Sequence, residues 1–598
     1  MRGKNKELRA RSTIGVRSPR SCVGKISTRK AFGLLAIFLF VSSAVSVLAD
    51  QDVLKVMYDE LQRSFEGYQD QPQPPYFLGY EITEDVAATV VGSFGIVNQR
   101  NRTVSRFLDV DLRVGSFSLD NTHPLRSGQG TPVLEAVSSP QSIAVDNADA
   151  LRETLWYHTD KAYRSALTRF TRVKSAVQTA VNSGVFPGDF SRAPVSRYEE
   201  DTINLVVDLE EWSSKIRLYT KPFTEFEFIV SNGAIATGDI ETRWIVNSEG
   251  TRVKVSKPFY RLRIEATTKA DDGMVLAQSR TFDATSPERL FDDEKILKAV
   301  RTMIDELAAL QSAPLIDPYT GPAMLSARAA AVFFHEVLGN RLVGHRQRTV
   351  DDNLSLREYV DKRILPPTFS VYFDPGIETY RGVELLGSYK YDNQGVKGRR
   401  VNAIRNGVLR GFLMSRTPIV GFPQSNGHGR KNFAHSVQSR QSNLFVEVSN
   451  PYSREELERM LLDRIDEQGK TFGLYFEDVE GGFNLSERNM PNAFNISPVL
   501  VYKVYPDATR ELVRGVDLIG TPLTFFSRIE AGASDYEVWN QISVAESGQV
   551  PVSSIAPSIL VSQVEVQKNE SIRTIPRILP PPIESREVRL DLEIDREP

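Results

Sequence analysis

From Asp52 to Tyr68 apolar residues recur at Val53, Leu54, Met57, Leu61 and Phe65, the spacing of one helix face, and the breaker Gln71-Pro72-Gln73-Pro74-Pro75 ends the run. Between Val104 and Val114 the period falls to two. Leu108, Val110, Leu112 and Val114 point one way and Asp109, Asp111 and Arg113 the other, which predicts a half-buried strand. Helical spacing returns over Asn147 to Val181, where Leu151, Leu155, Ala162, Tyr163, Ala166, Leu167 and Phe170 form one stripe. Tyr260, Leu262, Ile264 and Ala266 alternate again and lead into Asp271-Asp272-Gly273, a hairpin signal. Pro287 then opens a helix on which Ile296, Val300, Met303, Ile304 and Leu307 share a face. Residues 50–312 therefore predict a mixed α/β region.

Three prolines and a glycine between Ala313 and Pro322 mark a boundary. Beyond it Ser326 is placed to cap a helix favoured by Ala327, Ala329, Ala330 and Ala331, and that helix carries His335. The chain then turns to strand and turn signals, among them Asn406-Gly407 between Val401–Ile404 and Val408–Met414. The fold class expected is α+β, with the N-terminal region followed by a β-rich domain of antiparallel, barrel-like sheet over residues 313–578. Residues 579–598, with Pro580-Pro581-Pro582 and scattered charges, predict a flexible tail.

Composition changes this picture at the N-terminus. The first thirty residues carry ten Lys/Arg against Glu7 alone, and Ala31 to Leu48 contains no charge before the small residues around Ala49. That pattern predicts an export signal over residues 1–49 and a body in the periplasm or outside the cell. Left uncleaved, residues 31–48 would serve as a membrane anchor. The only cysteine, Cys22, precedes the apolar run, so the mature chain has no thiolate ligand and no disulfide. Without residues 1–49 the chain holds 63 Lys/Arg against 75 Asp/Glu, a formal charge of −12. This argues against a nucleic-acid partner, which needs basic surface to displace phosphate counterions.

The chemistry centres on His335-Glu336-Val337-Leu338-Gly339-Asn340. A helical His-Glu pair is how zinc hydrolases set a ligand beside a general base, with a second histidine four residues on. Here that position is Gly339. No Gly-x-Ser-x-Gly elbow offers another nucleophile.

Several segments together resemble the TldD/PmbA family, also called modulators of DNA gyrase. They are Arg106 to Gly115 with Leu119-Asp120-Asn121-Thr122, Tyr319-Thr320-Gly321-Pro322, Ser425 to Arg430, Arg440-Gln441-Ser442-Asn443 and Ala545 to Ser553. The resemblance implies a zinc held by two histidines in His-Glu-x-x-x-His and by a cysteine near the C-terminus, with the glutamate as catalytic base. It implies extended peptides as substrate, and an active subunit paired with a homologue that lacks the metal motif. Carried onto this chain, the first ligand is His335 and the base Glu336. The second ligand position is Asn340, and alignment on Glu546 and Val550-Pro551-Val552 puts Ser543 at the cysteine. Val343 stands where the family has an acid.

Two of three ligands are thus replaced. The expectation is a metallopeptidase homologue without activity, binding an extended peptide or supporting a homologous subunit as a homo- or heterodimer, without zinc. The alternative is an active extracytoplasmic zinc peptidase whose site has been rewired, recruiting His428 or His435. His345 is the fourth of the histidines clustered between 335 and 435. Arg430 and Arg440, with Lys431, either hold a peptide carboxylate or carbonyl or stand solvated.

Overall fold

The computed structural model describes residues 50–126, 132–133, 141–143, 147–179, 186–348, 354–433, 435–479 and 493–569. The expected signal segment 1–49, Cys22 and the expected tail 579–598 lie outside the described residues. Among the described residues no helix is long and apolar enough to cross a membrane.

The architecture is α+β, with an N-terminal α/β region and a β-rich C-terminal region. The alternating run at Val104 to Val114 is the end of a long strand, Ile96–Val114, hairpinned onto Pro75–Ser93. Pro75–Ser93 pairs on its other side with Ser231–Asn247, and Arg252–Lys269 and Val275–Ala284 complete an antiparallel layer. Leu108, Leu112 and Val114 bury their shared face under helices Asp50–Gly67 and Ala148–Thr179, where Leu151, Leu155 and Val173 meet them. A second core on the same sheet gathers Trp212 and Ile216 of helix Leu209–Thr220 with Ile296, Val300, Met303 and Leu307 of helix Asp293–Ser312.

One expectation is corrected here. Pro287 opens only a single turn, Pro287–Leu290, and the long helix starts afresh at Asp293. The reason is local: the Asp292 side chain accepts a hydrogen bond from the Lys295 N–H at 3.1 Å, a cap that restarts the helix two residues after Leu290.

The C-terminal region holds two larger sheets. In one, Tyr319–Leu325 lies between Ile559–Lys568, antiparallel, and Gly473–Val479, parallel. In the other, Asn443–Val448 runs antiparallel to Phe369–Phe373 and parallel to Gly548–Ala556, which carries Glu537–Ala545 at the sheet edge. The two parallel pairs depart from the antiparallel expectation. Their connections are long enough to cross over: residues 326–472 separate the first pair and 449–547 the second, each passing through a helix and through strands of the other sheet. Pro322 lies within strand Tyr319–Leu325, at a register shift between Gly321 and Ala323 that tolerates its missing N–H. The turn signal at Asn406-Gly407 is realised with φ of 49° and 79° between Val401–Arg405 and Val408–Leu409.

On the partly exposed face of the first sheet Asp239 forms a hydrogen-bonded carboxyl pair with Asp85. Burial, then that hydrogen bond, and then the charges of Asp85 and Glu241 push Asp239 up to about 9. A carboxyl raised in the folded state contributes stability that is complete below its unfolded value near 4 and is lost as pH rises through about 9. Asp239→Asn should therefore stabilise the protein at pH 9 relative to pH 5, by on the order of 1 kcal/mol or more. Urea midpoints at the two pH values measure this, and equal shifts at both would refute the shared proton.

Candidate functional site

Ser326 caps the site helix as expected, its hydroxyl accepting from Ala329 N–H at 3.0 Å and donating to the Glu477 carbonyl at 2.7 Å. Six of the seven residues from Ala327 to Phe333 are buried, because the helix packs between Gly473–Val479 and the hairpin of Glu537–Ala545 and Gly548–Ala556. The expected α-helix does not continue through His335. Phe334–Leu338 is a π-turn in which the Gly339 N–H reaches back to Phe334 and His335, followed by a 3₁₀ turn over Gly339–Arg341. The i→i+5 bond runs from the Gly339 N–H to the Phe334 carbonyl, and Asn340 follows it in the 3₁₀ turn.

His335 and Asn340 meet around Gln441. Its Nε2 donates to the His335 carbonyl at 3.3 Å and to Asn340 Oδ1 at 2.8 Å. A Cβ on Gly339 would stand 2.0 Å from Gln441 Oε1 and 2.4 Å from its Cδ. The glycine therefore leaves to Gln441 the place four residues past His335 where an ordinary zincin has its second histidine. Asn340 Nδ2 turns back to the Glu336 carbonyl at 3.3 Å and to Glu336 Oε2 at 3.5 Å, the latter at the limit of a hydrogen bond.

The His335 imidazole is 1% exposed and set edge-on to Trp539, with ring centroids 5.4 Å apart. Gln541 Nε2 lies 3.1 Å from His335 Nε2 and 3.4 Å from Glu336 Oε1. With the amide donating to Nε2, the ring proton rests on Nδ1, which has no hydrogen-bond partner among the described residues. Burial, reinforced by the Arg440 charge and opposed by the Gln441 amide beside the ring, pushes His335 down to about 3, so the ring is neutral at physiological pH.

Trp539, Gln541 and Ser543 are alternate residues of one strand and so share a face. Ser543 is buried against Arg440, whose Nη2 donates to the Ser543 carbonyl at 2.8 Å and to its Oγ at 3.2 Å. Arg440 Nη1 binds Ser547 Oγ and the Gly548 carbonyl. Burial, then repulsion from Arg430, lowers Arg440 to about 9.

The remaining candidates are dispersed. His428 belongs to the core, fully buried, with Nε2 3.1 Å from Ser442 Oγ and Nδ1 3.0 Å from Asn426 Oδ1. His435 is exposed, its Nδ1 3.0 Å from the Phe433 carbonyl. Arg430, Lys431 and Arg440 are not solvated: all three are buried and bonded within the chain, Arg430 to the Gln441 carbonyl at 2.6 Å. Among the described residues no three His, Cys, Asp or Glu side chains stand together as a metal would need. Gln541, Gln441 and Trp539 escape the sequence argument, although a period of two counted back from Ser543 leads directly to Gln541 and Trp539.

Zinc does not fit this donor set. Around one neutral imidazole stand the carboxamides of Gln541, Asn340 and Gln441, hard and neutral oxygen donors at best, and the Ser543 hydroxyl is engaged by Arg440.

Family models for the PmbA/TldA metallopeptidase central domain and C-terminal domain match residues 193–311 and 318–568. The chain belongs to the PmbA/TldA metallopeptidase family. A metalloprotease of Methanocaldococcus jannaschii is 25% identical over 230 residues, 38% of this chain and 47% of that protein. A zinc metalloprotease TldD homologue of Saccharolobus solfataricus is 23% identical over 280 residues, 46% of this chain and 57% of that protein. The chain thus spans about half the length of these relatives. Among solved structures, TldE from Thermococcus kodakarensis shares the fold with a TM-score of 0.58 at 12% identity, covering 86% of this chain and 100% of that one. A chain from Thermotoga maritima described as a modulator of a DNA gyrase has a TM-score of 0.58 at 16% identity, covering 85% and 99%.

Proposed function

We propose that this chain is a non-catalytic member of its family, exported from the cytoplasm, that binds extended peptide or supports a homologous subunit without hydrolysing peptide bonds. The observation that carries this reading is the Gln541 amide 3.1 Å from His335 Nε2, on the ring nitrogen beside Glu336. A hydrolytic zinc needs three strong protein ligands and one open position to generate hydroxide at neutral pH. Here one imidazole faces three carboxamides, which supports loss of the metal with retention of the scaffold. Export rests on the basic segment and uncharged run before Ala49, and predicts a mature N-terminus at Asp50.

The test is the metal content of purified protein after mild dialysis. Zinc should stay far below one per chain, should not change in His335→Ala, and no peptidase activity should be lost on adding a chelator. About one zinc per chain, lost in His335→Ala, would overturn the reading.

A further inference from the structure

Strand Arg252–Lys269 carries Lys257 at the seam between the first sheet and the C-terminal region. Its ammonium donates across that seam to the carbonyl of Leu386, at 2.6 Å, and to that of Ser388. The residue is half-buried and so not sealed from solvent. Glu241 stands opposite Lys257 in the strand register, yet its carboxylate goes to Arg243 at 3.2 Å.

The nearest charge to act on Lys257 is another cation, Arg430. Arg430 is 7% exposed, gives one hydrogen bond to the Gln441 carbonyl and lies over the Tyr389 ring at 4.6 Å. The acids around the two are engaged elsewhere or turned outward. Glu241 is held by Arg243, Asp392 accepts from the N–H groups of Gln394, Val396 and Gly429, and Glu378 is exposed. Among the described residues neither Lys257 nor Arg430 has a carboxylate within ion-pair distance, although buried cations are ordinarily paired. Burial and then the charge of Arg430 push Lys257 down to about 7, with Arg243 adding to the fall and Glu241 and Glu378 resisting it. A lysine beside another cation is activated as a nucleophile near neutral pH, where an ordinary lysine is charged.

We propose that Lys257 takes up carbon dioxide covalently, as a carbamate on Nζ whose oxygens accept from the guanidinium of Arg430. The Nζ lone pair forms the bond to carbon, one C=O electron pair moves onto oxygen, and one proton passes from Nζ to water. Lys257 thereby changes from a cation into an anion, and Arg430 gains the counter-ion it lacks. The N–H that remains on Nζ keeps the Leu386 carbonyl. That segment is tied to the candidate site, because Asn540, next to Gln541, donates to the Glu384 carbonyl at 2.8 Å. The carbamate is thus a brace, dependent on carbon dioxide, behind the strand that carries Gln541. It stands whether or not the chain binds peptide or zinc.

The experiment is carbon-13 NMR of the purified chain in labelled bicarbonate at about pH 8, where an amine lowered to about 7 is mostly neutral. A carbamate resonance should appear beside those of bicarbonate and dissolved gas, and it should be absent from Lys257→Arg. Arg430→Gln should raise the bicarbonate concentration for half-modification by about tenfold, the loss of one charge-assisted contact. The α-amine of the chain forms carbamates too. If every carbamate resonance survives in Lys257→Arg, or none is seen in the wild type, the proposal is overturned. Should a variant not fold, trapping the wild-type carbamate with a trialkyloxonium salt and mapping the peptides by mass decides: the added group on Lys257 supports the site, and its absence there refutes it.

Discussion

Lys431→Met should destabilise the protein by about 3–5 kcal/mol near neutral pH, and by clearly less near pH 5. Lys431 is 8% exposed, and its ammonium lies 3.0 Å from Glu81 Oε2 and on Asp109 Oδ2, both carboxylates themselves being buried. Burial alone would depress the lysine, but Glu81 and Asp109 more than offset this and hold it above its ordinary value. A group raised in this way contributes stability that is complete below the unfolded value near 10.4 and is lost only as pH rises through the folded one. The wild-type contribution is therefore intact at both test conditions.

Methionine replaces the packing of the lysine stem but leaves two carboxylates sharing a low-dielectric site in which the only nearby cation is Arg243, 3.9 Å from Glu81 and drawn also to Glu241 at 3.2 Å. Asn393, donating to Glu81 at 2.7 Å, cannot neutralise them. Asp109 is already pushed up by burial, against the pull of Lys431. As pH falls it takes up a proton, and the deficit of the variant shrinks. Urea unfolding of both proteins at pH 7.5 and pH 5 checks this; a deficit that does not depend on pH would mean that lost packing, not stranded charge, is responsible.

The same lysine shows where the sequence stopped being informative. Elements built on local periodicity were legible: the Leu151 to Phe170 stripe becomes helix Ala148–Thr179, and the alternation at Leu108 to Val114 becomes a strand with that face buried. Turn chemistry was legible at Asn406-Gly407, where positive φ at both positions is what that pair tolerates. Lys431 and Arg430 looked like surface residues because composition carries no record of which distant carboxylate or carbonyl will enclose them. Glu81 and Asp109 lie more than three hundred residues away along the chain. The π-turn was invisible for another reason. Nothing in the residue types of Phe334 to Leu338 separates one helix type from the other, and the close approach of Gln441 to Gly339 at the end of the turn is a long-range contact. Of the site, His335 and Glu336 were singled out as a His-Glu pair, and Asn340 through the resemblance to the family's His-Glu-x-x-x-His. Gln541, the residue that touches the imidazole, was not, because the alignment stopped two positions later at Ser543.

That displacement yields the second large effect. Asn340→His combined with Gln541→His should give a chain that retains about one zinc after dialysis, where the wild type retains essentially none. A tetrahedral zinc with Zn–N near 2.0 Å sets its ligand atoms about 3.3 Å apart. The polar end of residue 541 already lies 3.1 Å from His335 Nε2, so an imidazole on that strand face, about as long as the glutamine it replaces, approaches the ring from the side a metal would occupy. Residue 340 is tied to the His335 carbonyl through Gln441, which carries a buried Oε1 without a hydrogen-bond partner among the described residues. That oxygen can accept the second ring N–H of an introduced histidine, the support that metal-bound imidazoles require.

Three strong donors would then replace one imidazole and two carboxamides, restoring binding that in zinc peptides is worth about 10–16 kcal/mol. The control is Asn340→His with Ser543→His, which places the ring beside Arg440 instead. Metal analysis of both double variants, with the visible absorption of their cobalt forms, decides between the positions. Zinc held by the second pair and not the first would return the third ligand position to 543, and would mean that the strand can slide or turn to bring that residue to His335.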